Sequence, residues 1–507
     1  MRDAFRRVRE VISVLLLLVV IPLIGVVAKG LPVKQFLEFP PLTKYVEHAG
    51  FSWGAFIGLA LVSALVLLPF VLRVIRSRTV VTKHAVEAQR FPWWGWMGLG
   101  LMGITWVLAW TRFEWFAHFQ VFTFSPLWFG LIFVVNGWTL RRSGHCMLRD
   151  RPWYTLGLFG LSAVFWWYFE FLNRFVQNWY YVGINDLSPL QYLVYATLPF
   201  ATVLPAVLGT RDLLATWPRL TAGLHDFSSL RVARPRLWAC LWFLVSCSGL
   251  GAVGIWPDYL FPLLWFAPLL VITSLQCIRG RHTILSALNK GDWHNIVLLA
   301  LAALICGFFW EMWNIRSLAK WIYAVPFVGE FKVFEMPILG FMGYLPFGLE
   351  CAVVADLLFG KRGDEVALEN NNEFLTQPVS KLLSVCVYTN KIILVVVAMW
   401  FFIVPGFLVM RNLSDPRLKD ERIPNVAWRL HRDLSPRYAH WASVRVESGL
   451  AANLNLYDVP GTEWPMFVSS IIFGQPRLYK RSGRRISRCR PRSHEYMHAK
   501  RLRLQWI

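Results

Sequence analysis

Charged residues are scarce in this chain: Asp, Glu, Lys and Arg make up only 16% of 507 residues. The shortage excludes an ordinary soluble domain, in which about a quarter of the residues are charged. What is present instead is apolar, with 56% hydrophobic residues and a mean hydropathy of +0.45. The 27 Trp and 38 Phe are typical of many membrane crossings, because amphipathic aromatic residues collect where bilayer meets water.

Metal-binding patterns are also lacking. None of the eight cysteines forms a C-x-x-C pair, and His145-Cys146 and His282 have no second pair of ligands nearby in the sequence. Gly98 to Gly103 matches G-x-G-x-x-G, but it lies inside an apolar segment without a preceding strand, which favours close helix packing over a dinucleotide site. We therefore predict no metal and no cofactor.

The formal net charge of +22 does not indicate nucleic acid as a partner. Residues 477–507 hold eleven Lys or Arg and one acid, and much of the remaining positive charge lies in short loops between apolar segments. Lys and Arg in such loops set membrane topology. The predicted partners are membrane lipids and a hydrophobic small molecule, with no nucleic acid.

Segments of roughly 20 apolar residues are long enough to cross a bilayer. They predict an all-α polytopic bundle of about eleven transmembrane helices. The predicted spans are 11–28, 54–75, 93–111, 121–140, 153–172, 190–209, 236–256, 258–278, 294–313, 336–359 and 391–410.

The basic loops all fall on one side of this arrangement, which we assign to the cytoplasm. The N-terminus is then cytoplasmic and the C-terminus extracytoplasmic, and the predicted location is a bacterial inner membrane. Four Arg residues precede the first span as in a signal peptide, but no small-x-small cleavage site follows it, so we expect an uncleaved helix.

Short sequence pieces recur in the same order and predict a tandem duplication. Pro126 to Phe129 recurs as Pro262 to Phe266, and Asp212 to Leu214 recurs as Asp356 to Leu358. The two units, 91–214 and 236–359, each contain four spans, so both have one orientation and a pseudo-twofold axis along the membrane normal relates them. Residues 1–90 form an N-terminal two-helix segment ahead of them.

Beyond the repeats, 361–390 is a polar cytoplasmic linker and 391–410 is the last membrane helix. Residues 411–476 show helical spacing of apolar residues and form a small extracytoplasmic or surface-lying region. The basic segment 477–507 is either a disordered arm that touches anionic head groups or partners, or the product of a frameshift.

The candidate site centres on an element that occurs twice. Glu170 and Asn173, like Glu311 and Asn314, are three residues apart, so each pair lies on one face of a helix near its outer end. A Trp-x-Tyr pair follows each helix, namely Trp179 with Tyr181 and Trp321 with Tyr323. Ionisable groups inside membranes are costly and usually functional, so we assign a proton-transfer role to the Glu and ligand contacts to the others. In the alternative, Glu and Asn cap helix ends and the aromatic residues form the interfacial belt.

Two further acids occur only in the second unit. Glu335 opens the tenth span, and Glu350 lies about half a bilayer from either end of it, after Pro346. Because a proline inside a helix frees a backbone carbonyl, a polar pocket can open there. Glu350 is therefore the preferred candidate for chemistry and Glu335 a candidate ligand contact, with an ion pair to a neighbouring helix as the alternative role of Glu350.

A duplicated helical membrane unit with intramembrane glutamates is similar in outline to the small membrane lycopene cyclases. Their adjacent Pro-x-Glu-Glu signature is absent here, so the likeness concerns architecture and no residue role is carried over.

Three functions remain open. The first is a membrane-embedded site that binds or converts a hydrophobic or lipid-like molecule, with Glu311 and Glu350 as proton donor or acceptor and Asn314 orienting the ligand. The second is a secondary transporter that uses the same acids for proton or cation coupling. The third is a scaffold subunit without catalysis. An aromatic-walled opening near Glu311 favours the first, and a polar path along Glu350 favours the second.

Overall fold

The structure is a computed structural model that describes residues 2–41, 43, 45–77, 89–184 and 187–360. The predicted linker 361–390, the last membrane helix 391–410 and the segments 411–476 and 477–507 lie outside the described residues. The chain divides into two units, one formed by Met1–Trp110 with His118–Arg411 and the other by Thr111–Ala117 with Asn412–Ile507. Every contact discussed below lies within the first unit.

The described chain is mainly helical, as the sequence predicts. The helices in chain order are α1 Arg2–Ala28, α2 Lys34–Leu37, α3 Trp53–Arg76, α4 Trp93–Trp110, α5 Phe124–Ser143, α6 Met147–Asp150, α7 Pro152–Val176, α8 Pro189–Phe200, α9 Val203–Ala215, α10 Pro235–Ala252, α11 Pro257–Leu260, α12 Ala267–Ile278, α13 His294–Asn314 and α14 Tyr344–Phe359. Short 3₁₀ segments cover Glu114–Phe122, Pro218–Thr221, Phe261–Trp265, Ser286–Lys290 and Ile338–Gly343.

Six helical segments within the described residues are long and apolar enough to cross a membrane, or up to eight if two bent pairs each count as one span. This supports an all-α membrane protein, but it does not confirm eleven spans. Helices α4 and α10 occupy the third and seventh predicted spans, yet they fall outside this set because Trp and Gly dilute the hydropathy of α4 and Arg236 lowers that of α10.

Several predicted spans are interrupted rather than straight, among them the sixth and the tenth. The sixth breaks between α8 and α9, before Pro205, because proline cannot donate the hydrogen bond to Ala201 that would continue the helix. The tenth begins with extended residues and the 3₁₀ segment Ile338–Gly343 before α14 starts at Tyr344. Its first part therefore adds to the candidate site described below instead of forming a regular membrane helix.

Glycines let two helix pairs approach closely. A Cβ at Gly98 would lie 2.9 Å from the carbonyl oxygen of Gly130, and a Cβ at Gly130 would lie 2.8 Å from that of Gly98, so α4 and α5 touch backbone to backbone. The G-x-G-x-x-G segment thus contributes to helix packing. Gly348 brings α14 against the backbone of Leu299 on α13 in the same way.

Four short strands lie among the helices of the described residues. Strand β1, Trp179–Val182, pairs antiparallel with β2, Lys320–Tyr323, while β3, Lys332–Val333, pairs with β4, Met336–Pro337. Strand β1 follows α7 and β2 follows α13, so the first sheet joins the ends of the two helices that carry Glu170 and Glu311. These strands were not predicted from the sequence, because segments of four residues carry too little periodic signal.

Candidate functional site

Two asparagines link the ends of helices α7 and α13 to the strands that follow. The Asn173 side-chain amide donates to the carbonyl oxygen of Trp179 at 2.7 Å, and its oxygen accepts from the backbone N–H groups of Asn178 and Trp179 at 2.8 and 3.3 Å. Asn314 donates to the carbonyl oxygen of Trp321 at 2.8 Å and accepts from the N–H of Trp321 at 3.0 Å. Both side chains are fully buried, and these bonds set where each strand begins.

The register of the first sheet places four aromatic side chains on one face. Trp179 lies opposite Tyr323, and Tyr181 lies opposite Trp321. Because directly opposed residues of an antiparallel pair share a face, and alternate residues of a strand share it too, these four side chains form one group. Exchanging the two strands leaves this set of pairs unchanged, so the register is compatible with a local twofold relation between them.

Glu170 is fully buried beneath the first strand. Its Oε1 accepts hydrogen bonds from the Tyr181 hydroxyl at 2.6 Å, the Trp179 indole at 3.1 Å and the Trp166 indole at 3.2 Å. An indole N–H can only donate, so this carboxyl oxygen acts as an acceptor. Two of the three donors come from the Trp-x-Tyr pair, and the third lies one helical turn before Glu170.

Glu311 is buried in the same way but has a different set of donors. Its Oε1 accepts from the hydroxyls of Tyr323 and Tyr344, each at 2.8 Å, while the Trp321 indole donates to the Tyr323 hydroxyl at 2.9 Å. The Tyr344 ring lies over Gly307, one turn before Glu311, where a Cβ would collide with it. Because Gly307 has no side chain, Tyr344 of α14 can pack against it and donate to Glu311.

The donors to both carboxyl groups line one cavity of about 190 Å³. Its walls include Trp166, Trp179 and Tyr181 from the first half and Trp310, Tyr323 and Tyr344 from the second. None of the described residues that line it is charged, and Glu170, Glu311 and Glu350 are not among them. Glu170 and Glu311 therefore lie one layer behind the wall, where they hold the wall's tyrosine and tryptophan side chains.

Burial also affects the two strand tyrosines. It raises the pKa of Tyr181 and of Tyr323 well above the usual value of 10.0, and the neighbouring carboxyl groups of Glu170 and Glu311 raise the pKa of each further. Each phenol consequently keeps its proton and donates it to the carboxyl oxygen. Its own oxygen then acts as a hydrogen-bond acceptor toward any additional partner.

Glu335 belongs to a buried ion pair instead of the cavity wall. It lies between β3 and β4, and its Oε1 accepts from the Lys320 ammonium group at 2.7 Å, while both residues are 2% exposed. The pair joins the start of β2 to the β3–β4 turn. Met336, the next residue, does line the cavity.

Glu350 lies on α14, fully buried, and neither of its oxygens has a hydrogen-bond partner among the described residues. The Tyr168 hydroxyl on α7 is also buried without a partner there. Glu350 thus does not share a hydrogen-bond network with the Glu170 and Glu311 groups. Glu170 and Glu311 also share no donor with each other, so the three carboxyl groups occupy separate environments.

The structure brings the four residues of the two Trp-x-Tyr pairs together at one cavity and places both Asn in backbone links. Residues that the sequence analysis missed complete the site: Trp166, Trp310 and Tyr344 in the wall, Lys320 on Glu335, and Gly307 beneath Tyr344. Trp166 stands four residues before Glu170 and Trp310 one residue before Glu311, so no common spacing in the sequence pointed to them. Tyr344 lies 33 residues from Glu311, and no local pattern connects them.

Among the described residues, no group of three or more His, Cys, Asp or Glu is placed to hold a metal ion. No protein-family model, curated protein or solved structure matches this chain.

Proposed function

We propose that this chain is an integral membrane protein that binds a hydrophobic or lipid-like molecule in the cavity between the two Trp-x-Tyr pairs. The observation that carries the proposal is the composition of the wall. Aromatic and aliphatic side chains form most of it, and a small group of phenols held by Glu170 and Glu311 supplies the polar contacts. Ligand sites are typically apolar with a few placed polar groups, and this wall has that composition.

The two carboxyl groups support a positioning role within this function. Each accepts several hydrogen bonds from the wall, so each restricts the rotation of the aromatic side chains that would contact a ligand. If the bound molecule is also converted, the Tyr323–Glu311–Tyr344 group is the best available path for a proton, because phenols and carboxyl groups both exchange protons and indoles do not.

Duplication and topology belong to the same proposal. We infer that units 91–214 and 236–359 arose by tandem duplication, and the matched Asn links and the twofold-compatible register of β1 and β2 support this. The cytoplasmic N-terminus, the extracytoplasmic C-terminus and a bacterial inner membrane follow from the loop charges alone and are testable by reporter fusions. About eleven spans are expected for the whole chain.

A cavity-filling variant tests the binding proposal. Ala196 lines the cavity from α8, whereas Ala64 is exposed on α3, a helix whose apolar span has no buried residues. After purification in mild detergent and organic extraction, mass spectrometry should find a small molecule that is enriched with the wild type and with Ala64→Phe but lost with Ala196→Phe. Equal recovery from all three proteins would place the bound molecule elsewhere and overturn the proposal.

Transport remains a second candidate, and Glu350 is the observation that favours it. A buried membrane carboxyl group without a partner is costly unless another conformation hydrates or pairs it. In a reconstituted proton-flux assay, Glu350→Gln would abolish flux if the protein is a transporter. If the protein only binds a ligand, the wild type would show no proton flux and Glu350→Gln would still retain the ligand.

A further inference from the structure

The aromatic cavity has the features of a site for an organic cation, and this inference rests on the proposed binding function. We propose that its ligand is an amphiphile with an ammonium head group, most simply a methylated ammonium. Three features of the cavity favour such a ligand: its aromatic rings, the direction of its hydrogen bonds and the acids behind its wall.

Five tryptophans contribute rings to the wall: Trp166, Trp179, Trp265, Trp310 and Trp321. Trp179 and Trp265 have centroids 6.0 Å apart with an interplanar angle of 33°, and Trp310 stacks on Tyr344 with centroids 5.9 Å apart. The face of an aromatic ring carries partial negative charge, and tryptophan binds cations most strongly of the aromatic side chains. Several such rings around one cavity form the kind of cage that recognises quaternary ammonium groups.

The hydrogen bonds of the wall point away from a ligand. Tyr181, Tyr323 and Tyr344 donate their protons to the buried carboxyl oxygens, and Trp166 and Trp179 donate theirs to Glu170. The oxygens of these three phenols can only accept further hydrogen bonds, and that of Tyr323 already accepts from the Trp321 indole. The part of the wall next to Glu170 and Glu311 therefore offers acceptor oxygens and aromatic rings, which suits a cation, while the polar side chains of Asn178, Tyr192 and Tyr195 line the cavity elsewhere.

Two buried acids lie behind this wall without a cation. Among the described residues, no Lys, Arg or His forms an ion pair with Glu170 or Glu311, and the Oε2 atom of each has no hydrogen-bond partner. The two buried cations nearest in sequence to these acids bind elsewhere, since Lys320 pairs with Glu335 and Arg174 donates to the carbonyl oxygen of Gln35. A positively charged head group in the cavity would favour the ionised form of both acids, because opposite charges attract strongly in a medium of low dielectric constant.

The test compares two ligands that differ only in charge. A medium-chain choline ester and its isostere, in which a carbon replaces the ammonium nitrogen, are titrated by equilibrium dialysis into full-length protein in an uncharged maltoside detergent. We expect the choline ester to bind at least about tenfold more tightly than the isostere. Ala196→Phe should weaken binding of both, which locates them in the cavity.

Charge-removing variants identify the source of the preference. In the Glu170→Gln/Glu311→Gln protein the ratio of the two affinities should fall toward one, and a change in wall geometry that weakens both esters alike leaves this ratio unaffected. The matched control Glu330→Gln alters an exposed acid between β2 and β3 and should keep the full preference. If the double variant does not fold, the wild-type comparison of the two esters still decides.

The two proposals fail in different ways. Equal binding of both esters by the wild type would overturn the cation inference and leave the hydrophobic cavity intact. Absence of binding by either ester would count against the proposed function itself. A preference for the choline ester that persists in Ala196→Phe would show a cation site elsewhere on the protein and would also overturn this inference.

Discussion

The Glu170 and Glu311 regions share a framework but differ in what reaches the carboxyl group. In both, a helix carries Glu and Asn three residues apart, and the Asn amide links the helix to a strand that contains Trp-x-Tyr. Glu170 accepts from two indoles and one phenol, whereas Glu311 accepts from two phenols. The common part fixes the geometry, and the difference gives Glu311 two phenol donors where Glu170 has one.

A second difference is the Lys320–Glu335 ion pair, which joins the start of β2 to the β3–β4 turn. The residue opposite Lys320 in the sheet is Val182, which is buried and apolar. Strand β2 therefore has an ion-paired residue where β1 has a buried apolar one, although both strands carry a Trp-x-Tyr pair. Variants at these positions separate the role of the Asn links and strands, which both regions share, from the role of the donors to each Glu, which differ.

The largest effect is expected at the ion pair. Lys320→Met leaves a buried carboxylate without its cation and should destabilise the protein by about 3–5 kcal/mol. The double variant Lys320→Met/Glu335→Gln should recover at least half of this loss. Thermal unfolding in detergent measures both, with the exposed Lys290→Met as control. If Lys320→Met were as stable as the wild type, the packing of β2 against the β3–β4 turn would not depend on this ion pair.

The next largest loss of stability is expected at the two asparagines. Asn173→Ala removes three hydrogen bonds to the backbone and Asn314→Ala removes two, so we expect losses of about 2–3 kcal/mol, the larger at Asn173. Hydrogen exchange of the β1 and β2 amides, followed by mass spectrometry of peptides, should speed up only in the strand whose Asn is removed. Faster exchange in neither strand would argue against the Asn links as the common framework.

The strand tyrosines probe the difference in donors. Tyr323→Phe leaves Glu311 with one donor and also removes the acceptor of the Trp321 indole, whereas Tyr181→Phe leaves Glu170 with two indoles. We expect a loss of about 2 kcal/mol for the first and about 1 kcal/mol for the second. The exposed Tyr259→Phe serves as control in the same unfolding assay. The reverse order would contradict the view that Glu311 depends more on phenols.

The smallest effect concerns alkaline pH. Tyrosines ionise near pH 10 in the unfolded chain, and the pKa of both Tyr181 and Tyr323 is raised in the folded protein by burial and by the adjacent Glu. The folded state therefore binds more protons, so this stability is complete below about pH 10 and is lost as the pH rises through the folded pKa. The melting temperature of the wild type should fall faster between about pH 9 and about pH 11 than that of Tyr181→Phe/Tyr323→Phe. Parallel curves would show that these phenols ionise as freely as in the unfolded chain.

Several elements were predictable from local sequence. Apolar segments of sufficient length located the six to eight candidate membrane spans of the described residues. The three-residue spacing of Glu and Asn placed both on one helix face, because a helix has 3.6 residues per turn. The strands β1 and β2 were not predictable, since four residues are too few for an alternating pattern. The breaks in the sixth and tenth spans were indicated only by their prolines. The mean hydropathy of a segment is the same whether its helix is continuous or broken, so it does not reveal a break.

The candidate site was predictable only in the part whose residues recur in the sequence. Glu170, Glu311 and the Trp-x-Tyr pairs stood out because they recur about 141 residues apart. Glu335 looked like a ligand contact, yet Lys320 neutralises it, and this pairing depends on how the β3–β4 turn folds onto the start of β2. The role of Glu350 in any chemistry stays a prediction.

The sequence by itself determined the class of protein and the faces of its helices, because hydropathy and helical spacing act over a few neighbouring residues. It also placed a carboxyl group and an amide together before each aromatic pair. Only the tertiary structure decided which groups donate to each carboxyl group. Tyr344 reaches Glu311 because α14 packs over Gly307, and the aromatic pairs meet because β1 and β2 lie side by side. Such contacts depend on the three-dimensional packing of distant segments, which no local pattern contains.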